Sequence, residues 1–135
     1  MLIILIVVWI IDSFLLKRYA IAEIHLLIRL GASLLLAGVG LYLVQQSHKL
    51  VIESKEPKLV DWGVYSITRH PMYLGIMLFE LGIIVTTLSI PALLVWVIIF
   101  IIYNKFAAYE ENSLLEVLGD EYRGYQDKVK RWVIF

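Results

Sequence analysis

Apolar residues along this chain gather into four blocks, separated by shorter polar stretches. We predict that each block is a membrane span, because about 20 mainly apolar residues in helical conformation cross a bilayer. The predicted spans are residues 2–20, 24–46, 72–88 and 92–108. The polar stretches are a loop, residues 47–71, and a C-terminal tail, residues 109–135. The predicted fold is an all-α integral membrane protein with about four transmembrane helices in a single domain.

The tail keeps a helical spacing of apolar residues, and Gly119 interrupts it. This pattern predicts short amphipathic helices that lie against the membrane surface or the helix bundle. The aromatic and apolar residues from Trp132 to Phe135 are typical of anchors at a membrane interface.

The composition supports a membrane protein and excludes several other classes. The chain is 61% apolar and 18% charged, whereas soluble domains are roughly half apolar and about a quarter charged. The formal net charge is zero, so a basic nucleic-acid binder is not expected. There are no cysteines, which excludes disulfides and thiolate metal sites, and no other metal site is predicted. The first block has no basic segment before it, so we expect a retained span.

The most polar junction between two blocks lies within residues 62–75. Pro71 disfavours helical conformation at His70 and suits the first position of a new helix. Arg69 and His70 are therefore expected where an apolar helix begins, beside N–H groups that attract anions. Such a junction is suited to a polar ligand at the edge of a membrane.

Two carboxylates lie inside predicted spans. Glu80 follows Tyr73 by seven residues and Met77 by three, which places all three on one helical face. A carboxylate in a span is a functional candidate, and a hydrogen-bonded packing residue is the alternative. Asp12 is expected to face other helices. Small residues of the second span, such as Gly31 and Gly38, predict close helix packing and would also permit an oligomer, which nothing else indicates.

The distribution of positive residues predicts the orientation in the membrane. The loop and tail side carries Lys49, Lys55, Lys58, Arg69, Lys105, Arg123, Lys128, Lys130 and Arg131. The opposite side carries Lys17, Arg18 and, where it reaches the interface, Arg29. Because positive loops stay in the cytoplasm, we expect the loop and the C-terminus there. The hairpin of spans three and four then brings His70 near Glu110.

Two motifs flank this predicted hairpin. The first is Gly63-x-Tyr65 followed by Arg69-His70-Pro71-x-Tyr73-x-Gly75. The second is Glu110-Glu111 followed by Gly119-x-Glu121-Tyr122-x-x-Tyr125-x-x-x-Val129. Together they resemble the isoprenylcysteine carboxyl methyltransferase family of integral membrane enzymes. The resemblance covers residues 60–131, and the first two spans match only as membrane helices.

The resemblance implies methyl transfer from S-adenosylmethionine to a lipophilic acceptor that approaches from the bilayer. Arg69, His70 and the helix that begins at Pro71 are suited to the carboxylate of this cofactor. Glu110 or Glu111 is suited to its ammonium, and the other glutamate to the ribose or to bracing Arg69. As alternatives, Arg69 could extend toward the interface and the glutamates could be a solvated helix end.

Aromatic and small residues complete the predicted cofactor site. Tyr65 and Tyr73 offer aromatic faces to the sulfonium or the adenine. Gly75 would allow backbone or cofactor to approach closely. Tyr122 and Tyr125 are expected to be scaffold that closes the pocket.

The acceptor determines whether a base is needed. A carboxylate acceptor is already ionised, whereas an amine or hydroxyl needs a base, for which Glu80 and His70 are nearest. Tyr73 is placed beside the acceptor in this prediction. Eukaryotic family members carry an arginine in the helix before the paired glutamates, but this chain has no basic residue between Leu88 and Asn104.

Two other functions share parts of the pattern. Membrane sterol reductases have a similar His-Pro-x-Tyr turn and acidic pair, which would imply NADPH and hydride transfer to a lipid double bond. A non-catalytic membrane adaptor is the third hypothesis.

Overall fold

The computed structural model describes residues 1–16, 26–53 and 59–133, and helices dominate these parts. The helices are α1 (Leu2–Ile10), α2 (Leu26–Glu53), α3 (Pro71–Thr87), α4 (Ile90–Leu118) and α5 (Asp120–Lys128). A π-helical segment continues α1 over Ile11–Leu16, and a short 3-10 helix precedes α3 at Gly63–Ser66. The predicted all-α class is confirmed for the described residues.

The outer surface of α2 and α4 identifies a membrane protein. Both helices are long and apolar enough to cross a bilayer. Only 17% of the residues in the apolar stretch of each helix are buried. Core helices of soluble proteins would instead bury this surface. The shorter apolar helices are Leu2–Phe14 and Pro71–Thr87. Two of the four predicted spans therefore have full membrane length, and a four-span topology stays a prediction.

Glycines set the contact between α2 and α3, which is the most extensive helix contact in the described structure. A Cβ atom on Gly75 would lie 2.6 Å from the carbonyl oxygen of Gly40, so the two backbones touch directly. Ser33 of α2 donates a hydrogen bond of 2.7 Å to the carbonyl of Gly82 on α3. Close packing of α2 through small residues is confirmed.

The residues used for that packing differ from those predicted. Within the described residues, a Cβ atom added to Gly31 or Gly38 would have no neighbour within 4 Å, so these glycines do not make this contact. The cause is the angular position of each residue on the helix, since Gly40 lies on the face that meets α3.

Two predicted element boundaries were wrong. Helix α2 continues to Glu53, so residues 47–53 of the predicted loop are helical. Helix α4 continues to Leu118, so the tail begins as an extension of the fourth apolar block. A helix does not stop where the membrane does, and no Gly or Pro interrupts α4 before Gly119. Gly119, at φ +55°, ends α4 as predicted.

The first span is described only in part. Leu5 packs in a buried cluster with Ile84, Ala92 and Ile99. Asp12 is 4% exposed, which confirms that it faces other helices. Residues 17–20 of the predicted span lie outside the described residues, as do Lys17, Arg18, Lys55 and Lys58 of the orientation argument.

The predicted interfacial anchor at Trp132 was wrong. Trp132 is 4% exposed, and its indole Nε1 donates a hydrogen bond of 3.1 Å to Asn104 Oδ1. The tail folds back against α4, so the aromatic ring packs inside the protein. Of the other predicted anchor residues, Val133 is 56% exposed, and Ile134 and Phe135 lie outside the described residues.

Candidate functional site

Helix α3 begins at the polar junction as the sequence predicts. Pro71 is its first residue, and His70 is the N-cap, with φ −126° and ψ 61°. Leu74 N–H donates a hydrogen bond to the His70 carbonyl. Because Pro71 has no N–H, the donors that the first turn leaves for a ligand are those of Met72 and Tyr73.

Glu111 is the centre of a buried polar cluster beneath this junction. Its side chain is 4% exposed and receives two hydrogen bonds from Arg69, to Oε1 at 3.0 Å and to Oε2 at 3.1 Å. Arg131 donates a second pair of hydrogen bonds to this carboxylate, to Oε1 at 3.0 Å and to Oε2 at 2.8 Å. His70 Nε2 lies 3.1 Å from Oε1, and Gln126 donates to Oε2.

The charge state of Glu111 follows from these contacts. Burial by itself would raise the pKa of the carboxyl, but hydrogen bonds from His70, Arg131 and Arg69 outweigh it. The pKa of Glu111 is therefore held well below its usual range. The same contact raises the pKa of the Arg131 guanidinium. At neutral pH the cluster is thus an ion network, with two guanidinium groups on one carboxylate.

Arg131 is a site residue that sequence reasoning missed. It belongs to a C-terminal strap, residues 129–133, which lies across the start of α3. Arg69 N–H donates to the Lys130 carbonyl at 3.1 Å, and Thr68 Oγ1 donates to the Arg131 carbonyl at 2.6 Å. The sequence signal is only a basic tail, which does not distinguish a buried guanidinium from a solvated one.

Glu110 has a different environment from its neighbour. Its side chain is 51% exposed, and Oε2 lies 3.5 Å from His70 Nδ1. The predicted proximity of His70 and Glu110 is therefore confirmed. The imidazole of His70 is held between the two carboxylates, with one ring nitrogen facing each.

Aromatic rings continue from His70 into the helix bundle. The Tyr73 ring stacks on His70 with centroids 5.6 Å apart, and Tyr103 stacks on Tyr73 at 5.1 Å. Trp132 of the strap lies 6.0 Å from His70 at a tilt of 45°. Stacking on one face and two carboxylates at the ring nitrogens fix the His70 ring in place.

The tyrosines around the junction are held by hydrogen bonds. Tyr65 and Ser47 share one of 2.7 Å between their hydroxyl groups, and Tyr125 donates to the Tyr65 carbonyl at 2.7 Å. Tyr122 and Tyr125 are buried, as expected of scaffold. Burial and the nearby Glu111 carboxylate raise the pKa of Tyr122 to about 12, so its hydroxyl stays protonated.

A cleft of about 520 Å³ opens where these groups meet the surface. Its lining residues come from the end of α2, the junction, the first turn of α3 and the C-terminal part of α4. They are Val51, Tyr65, Arg69, His70, Pro71, Met72, Tyr73, Tyr109, Glu110, Ser113 and Leu114. The cleft thus brings together six of the predicted site residues, Tyr65, Arg69, His70, Pro71, Tyr73 and Glu110.

Three predicted site residues lie outside the lining of this cleft. Glu111 is beneath it and braces Arg69, one of the two roles foreseen for the second glutamate. Gly75 contacts α2, so its close approach is between helices. Glu80 is fully buried two helical turns beyond Tyr73, and neither carboxylate oxygen has a hydrogen-bond partner within the described residues. Its predicted acceptor-side role stays a prediction.

The chain is similar to known proteins over the part that builds the cleft. Residues 26–121 match the family model for phospholipid methyltransferases. Protein-S-isoprenylcysteine O-methyltransferase B of Arabidopsis thaliana is 33% identical over 91 residues, which are 66% of this chain and 46% of the plant protein. The Saccharomyces cerevisiae protein-S-isoprenylcysteine O-methyltransferase is 30% identical over 111 residues, which are 74% of this chain and 46% of the yeast protein.

A shorter relative matches over its whole length. An uncharacterized protein of Haemophilus influenzae is 44% identical over 66 residues, which are 46% of this chain and 100% of that protein. The chain spans just under half of the plant and yeast relatives. No solved structure matches the chain significantly.

Proposed function

The chain belongs to the phospholipid methyltransferase family, and from this premise we propose that it is a membrane methyltransferase. The proposed methyl donor is S-adenosylmethionine, bound in the cleft at the start of α3. The proposed acceptor is lipophilic and reaches the cleft from the bilayer, on the cytoplasmic side. The relatives named as protein-S-isoprenylcysteine O-methyltransferases support this class of reaction.

The observation that carries the proposal is the pairing of opposite polar groups across one cleft. Glu110 offers a half-exposed carboxylate to an ammonium, and the first-turn N–H groups of α3 offer donors to a carboxylate. Arg69 lines the same cleft and adds positive charge. A zwitterionic amino-acid group fits between these partners.

Arg69 acts here through its position and charge. Its Nε and Nη2 donate to Glu111, and its Nη1 donates to the carbonyls of Gln126 and Val129. Most of its hydrogen-bonding capacity is therefore used inside the protein. The direct contacts to a bound carboxylate come from the N–H groups of the α3 N-terminus in this proposal, because both ring nitrogens of His70 already face glutamates.

The remaining lining suits the rest of the donor. Tyr65 and Tyr109 present aromatic faces, which attract a sulfonium and stack with a purine, whereas the Tyr73 ring is stacked on His70 and Tyr103. A volume of about 520 Å³ lies within the usual range for small-molecule sites. The apolar residues Val51, Met72 and Leu114 form the part of the lining through which a lipophilic acceptor would enter.

The chemistry requires alignment more than proton transfer. When bound, S-adenosylmethionine supplies an electrophilic methyl group. The protein holds donor and acceptor in line, and fixed orientation of this kind can account for much of a rate enhancement. His70 is already immobilised by Tyr73 and the two carboxylates, so the cleft is preorganised. A carboxylate acceptor needs no base, and His70 is the lining residue nearest to that role for an amine or hydroxyl.

Binding measurements test the donor site directly. We expect Glu110→Gln to weaken S-adenosylmethionine binding by about tenfold, because one charged partner is lost, corresponding to ~1.4 kcal/mol. Isothermal titration of the detergent-solubilised chain measures this change. Glu116→Gln is the matched control, since Glu116 is exposed on the same helix and does not line the cleft.

The same preparation tests the reaction class. S-adenosylmethionine should raise the melting temperature by ligand linkage, and NADPH should not. Equal affinity of wild type and Glu110→Gln would contradict the assigned ammonium site. Radiolabelled methyl transfer to a membrane lipid extract then identifies the acceptor, and the absence of any labelled product would overturn the activity.

A further inference from the structure

A second, polar cavity lies on the other side of the Glu111 cluster. Its volume is about 290 Å³, and its lining residues are Arg69, Phe100, Asn104, Arg131 and Trp132. Among the described lining residues it shares only Arg69 with the cleft of the proposed methyl donor. The rings of His70, which lines the cleft, and Trp132, which lines this cavity, lie side by side at 6.0 Å.

An apolar groove of about 190 Å³ adjoins this polar cavity. The groove runs between α3, α4 and the strap, and it shares Phe100 and Trp132 with the cavity. Its other lining residues are Leu74, Met77, Leu78, Leu81, Trp96 and Val133. From Leu74 to Leu81 it follows α3 for about 10 Å, given the helical rise per residue. Cavity and groove together have one polar end and one apolar arm.

The polar end carries excess positive charge. Arg69 and Arg131 share the single carboxylate of Glu111, and none of the described residues that line the cavity is acidic. The Arg131 side chain is 27% exposed, so its charge reaches the cavity.

Asn104 adds hydrogen-bond donors at the same place. Its Oδ1 accepts from Arg131 Nη1 at 3.2 Å and from Trp132 Nε1 at 3.1 Å, which fixes the orientation of the amide. The amide N–H groups make no hydrogen bond within the described residues. Positive charge, free donors and an adjoining apolar groove are together complementary to an anionic amphiphile.

We propose that the cavity and groove bind an anionic lipid of the membrane. Its headgroup anion lies against Arg131 and Asn104, and one acyl chain lies along the groove. The ligand is a bilayer lipid and is distinct from the methyl acceptor, because the rings of His70 and Trp132 stand between this site and the cleft. Bound there, the lipid neutralises the second guanidinium and holds the strap against α3 and α4.

Thermal unfolding in lipid nanodiscs tests the site independently of methyl transfer. We expect the melting temperature of the full chain to rise by several degrees when phosphatidylglycerol is added to phosphatidylcholine, by ligand linkage. Asn104→Asp should abolish the rise, because the new carboxylate repels the anion and lacks the donors. This variant keeps an oxygen acceptor for Arg131 and Trp132, so the strap is retained.

A second variant tests the groove. Leu78→Trp should also abolish the rise, since the larger ring fills the groove. Leu34→Trp is the matched control, because Leu34 is 73% exposed on α2 and outside the groove, and it should respond like wild type.

Native mass spectrometry provides a second readout. We expect one phosphatidylglycerol per wild-type chain to survive detergent extraction, and none on the two site variants. An equal rise in all variants would mean a general effect of negative surface charge and would overturn the site. Retention of phosphatidylcholine in equal amount would overturn the anion preference.

Discussion

Glu110 and Glu111 are consecutive residues of α4, yet their side chains occupy opposite environments. One is half exposed in the cleft, and the other is buried beneath it and bound by two arginines. Successive helical residues differ by about 100° in direction, so adjacent carboxylates can serve a ligand and the scaffold separately. His70 connects the two, since each ring nitrogen faces one of them.

The Glu111 network predicts a pH dependence of stability. The pKa of Glu111 is lowered in the folded state, so its contribution to stability is fully present above the unfolded pKa of about 4.3. That contribution is lost as the pH falls from this value toward the folded pKa. We therefore expect the melting temperature to decline below about pH 4.3, as measured by thermal unfolding in detergent from pH 7 to pH 3.

Replacing Glu111 by glutamine should strongly lower the stability of the protein at neutral pH. Glu111→Gln leaves two buried guanidinium groups without their carboxylate, and loss of one partner of a buried ion pair costs about 3–5 kcal/mol. This variant should also lose the acid slope of the wild type. Glu110→Gln is the comparison, and a destabilisation of the same size there would argue against a special role for Glu111.

At the scale of elements, the site depends on the alignment of α3 with α2 and α4. Helix α3 carries His70 at its start, and α4 extends beyond its apolar part to carry Glu110 and Glu111. The contact of Gly75 with Gly40 sets how closely α3 approaches α2. The strap then closes the junction from the C-terminal side, through hydrogen bonds to Thr68 and Arg69.

A substitution that adds a single methyl group at Gly75 tests the helix packing there. Gly75→Ala would place a Cβ atom 2.6 Å from the Gly40 carbonyl oxygen, which forces the backbones apart. Overpacking of this kind costs about 1–3 kcal/mol, so we expect a lower melting temperature in detergent. Gly38→Ala is the control, because the added Cβ atom would have no described neighbour within 4 Å. Since alanine favours helices, that control should be neutral or stabilising, and equal losses in both variants would contradict the packing argument.

At the scale of the whole molecule, the cleft and the N-terminus of α4 lie at opposite ends of one long helix. Ser113 lines the cleft, and Ile90 begins the same helix. The two residues are 23 positions apart, which corresponds to about 35 Å of helix, close to the thickness of a bilayer. We therefore expect the proposed donor site at one membrane face, where a soluble cofactor can meet a lipid-borne acceptor.

Cysteine labelling tests the predicted orientation, since the natural chain has no cysteine. Ser113→Cys should react with a membrane-impermeant maleimide only from the cytoplasmic side. Ile90 is 39% exposed, and Ile90→Cys should react only from the opposite side. Labelling of both positions from one side would contradict a membrane-crossing α4, and the reverse pattern would contradict the positive-inside assignment.

The sequence by itself determined the helical class, the start of α3 at Pro71 and the meeting of His70 with Glu110. These features follow from local rules, namely apolar block length, the conformational limits of proline and the short connection between two apolar blocks. It did not determine where α2 and α4 end, because polar residues continue a helix as readily as apolar ones.

Only the tertiary structure decided how the charged residues are divided between scaffold and cleft. Arg69 and Glu111 bind each other, Gly75 contacts a helix, and Arg131 enters the cluster from the far end of the chain. The physical reason is that a buried charge needs a partner, and the partner is chosen by contacts between residues distant in sequence. Residue types and spacing identify which groups are available, whereas packing determines which of them remain exposed to a ligand.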